Sequence, residues 1–287
     1  MRMRAYADRT QASIDAAERA GSHLRDALHR HGRANLVLAA SLAQISVLAH
    51  LRTIAGLDWA RVTVFHLDEF VDLPRTHRAS CRKIVRDHFV DHVPSLHAFI
   101  PVDGDTGHPE RERARLNAAL DGEPVDVCLA GIGENGHLAF NEPPADFATR
   151  DPFIQVAIDD VSRRQLVEEG WFAQMCEVPE RALTMSIFQI MRAERIILAV
   201  FGPTKCTALR EVIAGPLSEG CPASILRLHP SCELFADYAA TGGERDWFGY
   251  ASRVGPVAPG ALGRAAESLE RPHWPVERVD HEAGPDC

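Results

Sequence analysis

The densest set of reactive side chains in this sequence lies in one glycine-rich stretch. Gly131-Ile132-Gly133-Glu134-Asn135-Gly136-His137-Leu138-Ala139-Phe140-Asn141-Glu142-Pro143 follows directly on the apolar run Val125–Ala130. An imidazole and a carboxylate this close together suit acid–base work, because the carboxylate fixes the tautomer of the ring and raises its basicity. His137 and Glu142 are the candidates, and the glycines, Gly136 among them, let the backbone bend sharply and let a small molecule come close. Residues 131–136 also spell G-x-G-x-x-G, and Asp159 and Asp160 fall where a dinucleotide fold keeps its ribose-binding acid. Against that reading, Pro143-Pro144 arrive before a helix can run on from Gly136. A pyrophosphate would have no helix N-terminus to sit on. The bland alternative is a loop whose histidine only caps the end of a strand.

Two further segments carry charge at the ends of apolar runs. Val62-Thr63-Val64-Phe65-His66 leads into Leu67-Asp68-Glu69, so two carboxylates, Asp68 and Glu69, emerge where a strand stops. Either one could serve chemistry, or simply cap the next turn. Arg195–Phe201 leads into Gly202-Pro203-Thr204-Lys205 and then a helical pattern. Lysine in a first helical turn opposes the macrodipole at a cost of roughly 0.3–1 kcal/mol. Together with free backbone N–H groups it makes an anion site, and otherwise a solvated surface lysine.

Positioning these groups falls to an alternation of short β-branched runs and longer amphipathic segments, the pattern of a parallel sheet covered by helices. Strands are expected at Leu36–Ala40, Val62–His66, Ala98–Pro101, Val125–Ala130, Phe153–Ile158, Ala182–Ser186, Arg195–Phe201, Ala223–Leu226 and Glu233–Ala236. Helical periodicity covers residues 10–31, 42–55, 78–90, 109–121, 162–172 and 204–214. The fold class is therefore α/β: a doubly wound, mostly parallel sheet with helices on both faces, Rossmann-like, as a single domain over residues 1–240. In such sheets ligands bind at the carboxyl ends of the strands, where each candidate residue lies. From Thr241 the composition turns to glycine and proline, so 241–287 reads as a tail of little regular structure, with Trp247, Phe248 and Trp274 able to pin parts of it.

Composition narrows the function classes. The net charge of −9 argues against a general nucleic-acid binder, though it leaves room for a local anion pocket. No apolar run approaches the roughly 18 residues of a membrane span, and the polar N-terminus shows no signal peptide. The seven cysteines are odd in number and form no CxxC pair, which reads as reduced thiols of a cytoplasmic protein. The histidines lack metal-ligand spacing.

Taken in order, FHLDEFVDLP (65–74), GIGENGHLAFNEP (131–143), RALTMSIFQIM (181–191), GPTK (202–205) and ASILRLHP (223–230) make the chain resemble the glucosamine-6-phosphate deaminase/isomerase family. The resemblance spans about residues 34 to 240. Related 6-phosphogluconolactonases share the glycine and histidine but lack a counterpart of Phe140-Asn141-Glu142-Pro143. The resemblance implies conversion of glucosamine 6-phosphate and water to fructose 6-phosphate and ammonia, without a metal or redox cofactor, on a small sugar phosphate as partner. Self-association into a homo-oligomer is compatible with it. It assigns Asp68 the C2-to-C1 proton transfer and His137, supported by Glu142, the opening of the pyranose ring. It assigns phosphate to Lys205 with Arg163, or else Arg164, and places Ser41, Gly136 and Glu69 around the substrate.

Two departures stand out. Family members commonly carry Asp at the position of Asn135, which can still accept a hydrogen bond from imidazole but adds no charge. After the first expected strand the family has a glycine- and hydroxyl-rich phosphate loop, whereas this chain has Ala39-Ala40-Ser41-Leu42-Ala43-Gln44. Ser41 and the following helix N-terminus then remain as donors there. The alternatives are a lactonase, a non-catalytic sugar-phosphate sensor and, last, a dehydrogenase.

Overall fold

The computed structural model describes residues 1–243. In chain order its elements are β1 (Arg2–Tyr6), α1 (Arg9–His31), β2 (Ala34–Leu38), α2 (Leu42–Leu51), β3 (Val62–His66), β4 (Asp68–Phe70), α3 (Cys81–His88), β5 (Ala98–Ile100), α4 (Pro109–Ala119), β6 (Val127–Ala130), β7 (Phe153–Ala157), α5 (Asp160–Glu168), β8 (Arg181–Met185), α6 (Ile187–Met191), β9 (Arg195–Val200), α7 (Cys206–Ala214) and β10 (Cys232–Asp237). A seven-stranded sheet runs in the order β1-β10-β9-β6-β2-β3-β5, and every pairing in it is parallel.

The inner strands β2, β6 and β9 are largely apolar because both of their faces are covered. Side chains alternate across the pleat: Leu36 and Leu38 of β2 face a core shared with Leu24 of α1, Leu48 of α2 and Val85 of α3. Val37, between them, faces the other core with Leu116 of α4, Ile190 of α6 and Leu209 of α7. Strand β6 divides the same way, Leu129 to one side and Cys128 to the other. Truncating a fully buried leucine such as Leu129 to alanine costs about 2–5 kcal/mol at such positions. The doubly wound α/β class read from the sequence is the observed one.

Strand order reverses between β2 and β6. From β2 the chain builds outward through β3 to β5, then crosses back to β6 and builds the other half through β9 to β10. The crevice above the carboxyl ends of β2 and β6 is therefore the topological switch point, where such sheets bind ligands. The loops meet there closely: a Cβ on Gly131, just past β6, would stand 3.5 Å from the Ser41 hydroxyl, just past β2.

A second sheet, three-stranded and antiparallel in the order β4-β8-β7, stands over that crevice. Its cross-strand partners are Asp68 with Thr184, Glu69 with Leu183 and Phe70 with Ala182. The chain enters it straight from the main sheet through Leu67, whose carbonyl accepts the Met185 amide at 2.7 Å. Phe70, Phe140, Phe172, Ile158 and Ala182 fill a small apolar core beneath it.

Four elements differ from expectation. Arg2–Tyr6 and Asp68–Phe70 are strands, and Ile187–Met191 is a short helix beyond the expected strand Ala182–Ser186. Ala223–Leu226, expected as a strand, lies in a 3-10 helix spanning Pro222–Leu228, since a short apolar run looks the same in either state. The expected tail lies outside the described residues from position 244 onward, Trp247, Phe248 and Trp274 included. The six described cysteines are free thiols. No helix among the described residues is long and apolar enough to cross a membrane.

Candidate active site

His137 sits on a tight turn after β6. The Gly133 amide donates to the His137 carbonyl at 3.0 Å, and the Gly136 amide to the Gly133 carbonyl at 3.1 Å. The imidazole lies flat on the α-carbon of Gly133, where any added Cβ would come within 2.2–2.5 Å of three ring atoms. Gly136, at φ 82°, adopts a left-handed conformation that other residues resist, and a Cβ there would press on the Cys221 sulfur at 2.9 Å. Its amide is spent inside the turn. No helix follows Gly136; the chain continues through bends and turns to β7, so the dinucleotide fingerprint lacks its helix.

Behind His137 is a compact polar network. Nδ1 lies 2.9 Å from the Ser162 hydroxyl and 3.3 Å from Glu142. The Ser162 hydroxyl donates to Glu142 at 2.9 Å. Asn135 does not accept a bond from the imidazole, as the sequence suggested. Its Oδ1 accepts the His137 backbone N–H at 3.0 Å, while its amide nitrogen donates to Glu142 and to Asp159, each at 2.8 Å. The backbone bond turns the amide group so that only its nitrogen can face the two carboxylates.

Asp68, the first residue of β4, lies beside this network. Its carboxyl is 9% exposed, and burial pushes it from the ordinary 3.8 up to about 7. A hydrogen bond from the Cys81 thiol opposes that rise, the Glu69 charge adds to it, and the charge of His137 opposes it. Asp68 and His137 are thus near enough to feel each other's charge. Thr184 ties the two loops together: it pairs with Asp68 across β4 and β8, and its hydroxyl accepts the Phe140 amide at 3.1 Å, three positions after His137. The Phe140 ring packs on Phe70 at 5.0 Å between centroids. His66, whose Nε2 accepts the Val102 amide at 2.7 Å, is kept neutral by burial, with a pKa lowered to about 3.

Glu69 has a different task from the one expected. It is 1% exposed; one oxygen accepts the Phe70 and Cys81 amides and the other accepts the Ser80 hydroxyl and the Arg82 amide. Successive residues of a strand point to opposite faces. Asp68 therefore lies toward His137 while Glu69 clamps the N-terminus of α3, where its charge also meets the helix dipole.

Lys205 and Ser41, the expected anion donors, lie on the segments that follow β9 and β2. Lys205 ends the 3-10 turn Pro203–Lys205 that leads into α7. Burial holds its ammonium below the usual lysine range, against the pull of Glu169 and Glu134, and among the described residues its nitrogen forms no hydrogen bond or ion pair. Ser41 caps α2 without a side-chain bond to it, so its hydroxyl is available. Arg163 is a strut instead of a phosphate ligand: its guanidinium donates to the Met175 and Val178 carbonyls at 2.9 and 3.3 Å and pairs with Asp160. Its neighbour Arg164 is exposed.

Ser162, and Asp159 in this role instead of that of a ribose-binding acid, escaped the sequence reading, as did Cys81, Thr184 and His66. Only the first two left a trace: Asp159-Asp160-Val161-Ser162 has the look of a helix N-cap, and Asp159 does accept the Ser162 amide at 2.7 Å. Elsewhere among the described residues, His31, Asp126 and Glu194 could meet a cation at the opposite end of the sheet. Arg30 already holds Glu194 there with two bonds of 2.8 Å.

An imidazole and buried carboxylates beside the switch point of a parallel sheet suit an α/β enzyme of acid–base chemistry, and comparison with known proteins gives its family. The model of the glucosamine-6-phosphate isomerases/6-phosphogluconolactonase family matches residues 7–234, and the chain belongs to that family. It is 35% identical over 209 residues to the glucosamine-6-phosphate deaminase of Bacillus cytotoxicus, covering 73% of this chain and 78% of that one. The same enzyme of Bacillus thuringiensis is 35% identical over 205 residues, covering 71% and 76%. A solved monomeric glucosamine-6-phosphate deaminase superposes with a TM-score of 0.77 at 26% identity, over 85% of this chain and all of that one. The 6-phosphogluconolactonase of Trypanosoma brucei, at 14% identity and a TM-score of 0.70 over 84% of this chain and 98% of its own, shares the fold.

Proposed function

We propose that this enzyme converts glucosamine 6-phosphate and water to fructose 6-phosphate and ammonia. The observation that carries the reading is the Asp68 carboxyl, brought to about 7 by burial and placed within the field of an imidazole backed by Glu142. A carboxylate with that acid strength is matched to taking and returning a proton near neutral pH.

The chemistry follows from the positions. His137 takes the proton from the anomeric hydroxyl and returns one to the ring oxygen, which opens the pyranose to the aldehyde. Asp68 removes the C2 proton; the electron pair forms a C1–C2 enaminolate, the same carboxyl delivers that proton to C1 as the nitrogen lone pair makes the C2 iminium, and O1 takes a proton from that nitrogen. The product is a C2 imine, and water adds to it, breaking the C–N bond and releasing ammonia. No net oxidation occurs. The geometric advantage is that one group serves two adjacent carbons of a fixed substrate. Phosphate falls to Lys205 and Ser41, whose donors stand free of protein partners. All the side chains named come from one chain.

The test is the release of ammonia and fructose 6-phosphate from glucosamine 6-phosphate. Turnover that disappears in Asp68→Asn is the expected result. Faster hydrolysis of 6-phosphogluconolactone than ammonia release would replace this reading with the lactonase. A ligand-induced rise in melting temperature with no turnover across a panel of phosphosugars would replace it with the sensor.

A further inference from the structure

We propose that Ser162 is a positioning residue that sets the tautomer of His137, and that Asn135 is the neutral bridge that lets Glu142 and Asp159 share one site. The inference deepens the proposed function and rests on His137 being the ring-opening group.

Proton positions follow from counting donors. Asn135 Oδ1 accepts the His137 backbone N–H, so the amide nitrogen faces Glu142 and Asp159 and both of its protons are used. Ionised carboxylates accept only. The single Ser162 proton must therefore point to Glu142, 2.9 Å away. That leaves the Ser162 oxygen as an acceptor, and the group facing it at 2.9 Å is His137 Nδ1, which must carry its hydrogen. The neutral ring is then the Nδ1–H tautomer, with the lone pair on Nε2. Nε2 forms no hydrogen bond among the described residues, and the side chain keeps 17% exposure. The nitrogen that a sugar can reach is thus the basic one.

The network is anchored on α5. One Asp159 oxygen accepts the Ser162 amide at 2.7 Å as the helix cap, and the other accepts Asn135. The positive end of the helix offsets part of the charge of the two carboxylates. A neutral donor at position 135 is what permits them to approach it together at 2.8 Å. An aspartate there would bring a third negative charge into contact with both, and one of the three would hold a proton at neutral pH.

The experiment is long-range proton–nitrogen NMR of the histidine rings, assigned with His137→Gln, combined with kinetics on Ser162→Ala, Ser162→Thr and Asn135→Asp. The wild-type ring of His137 is expected as Nδ1–H. Ser162→Ala should shift it toward Nε2–H and lower kcat about tenfold, with KM and melting temperature close to wild type. Ser162→Thr keeps the hydroxyl and should recover the wild-type spectrum and rate. Asn135→Asp should lower activity, and adding Asp159→Asn, which returns the site to two carboxylates, should recover part of it. An Nε2–H ring in the wild type, or an unchanged spectrum in Ser162→Ala, overturns the proposal. So does an Asn135→Asp variant faster than wild type. The spectrum needs no substrate: a wild-type protein that shows Nδ1–H yet releases no ammonia sinks the functional reading and leaves the tautomer assignment standing.

Discussion

Replacing Asp68 by asparagine should give a protein that is more stable and almost inactive. The carboxyl ionises near 3.8 in an unfolded chain and near about 7 in the folded one, chiefly because the folded state buries it. Each factor of ten in an acid constant corresponds to about 1.4 kcal/mol, so ionised Asp68 costs the fold at most about 4 kcal/mol. Below pH 4 both states hold the proton and the cost is absent. Between pH 4 and 7 only the unfolded chain ionises, so wild-type stability falls as pH rises, and above 7 the cost is constant. The carboxamide that replaces it in the variant does not titrate. The melting temperature of Asp68→Asn should therefore pull away from that of wild type by up to about 10 °C between pH 5 and pH 8, at about 2–4 °C per kcal/mol for a domain of this size. Ammonia release should fall at least about 100-fold, as for loss of a general base. Scanning calorimetry at several pH values, paired with an ammonia assay, reads both effects. Two melting curves that move in parallel with pH would refute the burial argument, and retained turnover would refute the base assignment.

Three further outcomes are expected. Lys205→Met should raise KM for the phosphosugar about tenfold or more while changing kcat little, measured by initial rates, because a half-buried ammonium that forms no hydrogen bond or ion pair among the described residues is lost from the proposed phosphate site. Cys81→Ala removes the thiol that favours the ionised form of Asp68, so the acid limb of the kcat–pH profile should move to higher pH, and a profile that is unmoved or shifts down contradicts the contact. Glu69→Gln should destabilise the protein by about 2–4 kcal/mol in urea, since a clamp that accepts three amides and a hydroxyl loses its charge and one acceptor; an unaffected midpoint would argue against the clamp.

The main sheet was legible because its signal is local. Runs such as Val62–His66 are apolar enough to be buried on both faces, and their ends mark the rim where ligands bind. Asp68, His137 and Lys205 could be singled out for the same reason: each lies on the segment just past a strand of the main sheet. Partners supplied from a distance could not. Ser162 lies 25 positions from His137, and nothing in its local pattern points to an imidazole. Glu69 was misjudged because two adjacent carboxylates look equivalent until a strand separates them, and β4 is only three residues long. Arg163 was misjudged because its acceptors are backbone carbonyls of a later segment, invisible in side-chain identity.

That three-residue strand has a consequence for any attempt to re-engineer the protein. Adjacent acids on β4 have opposite tasks only because Asp68 pairs with Thr184 and not with a neighbour. A slip of one position along β8 would exchange them, offering Glu69 to the sugar and leaving the shorter Asp68 to reach for the amides of α3. One inserted residue between His66 and Asp68 should therefore silence the enzyme without unfolding its main sheet.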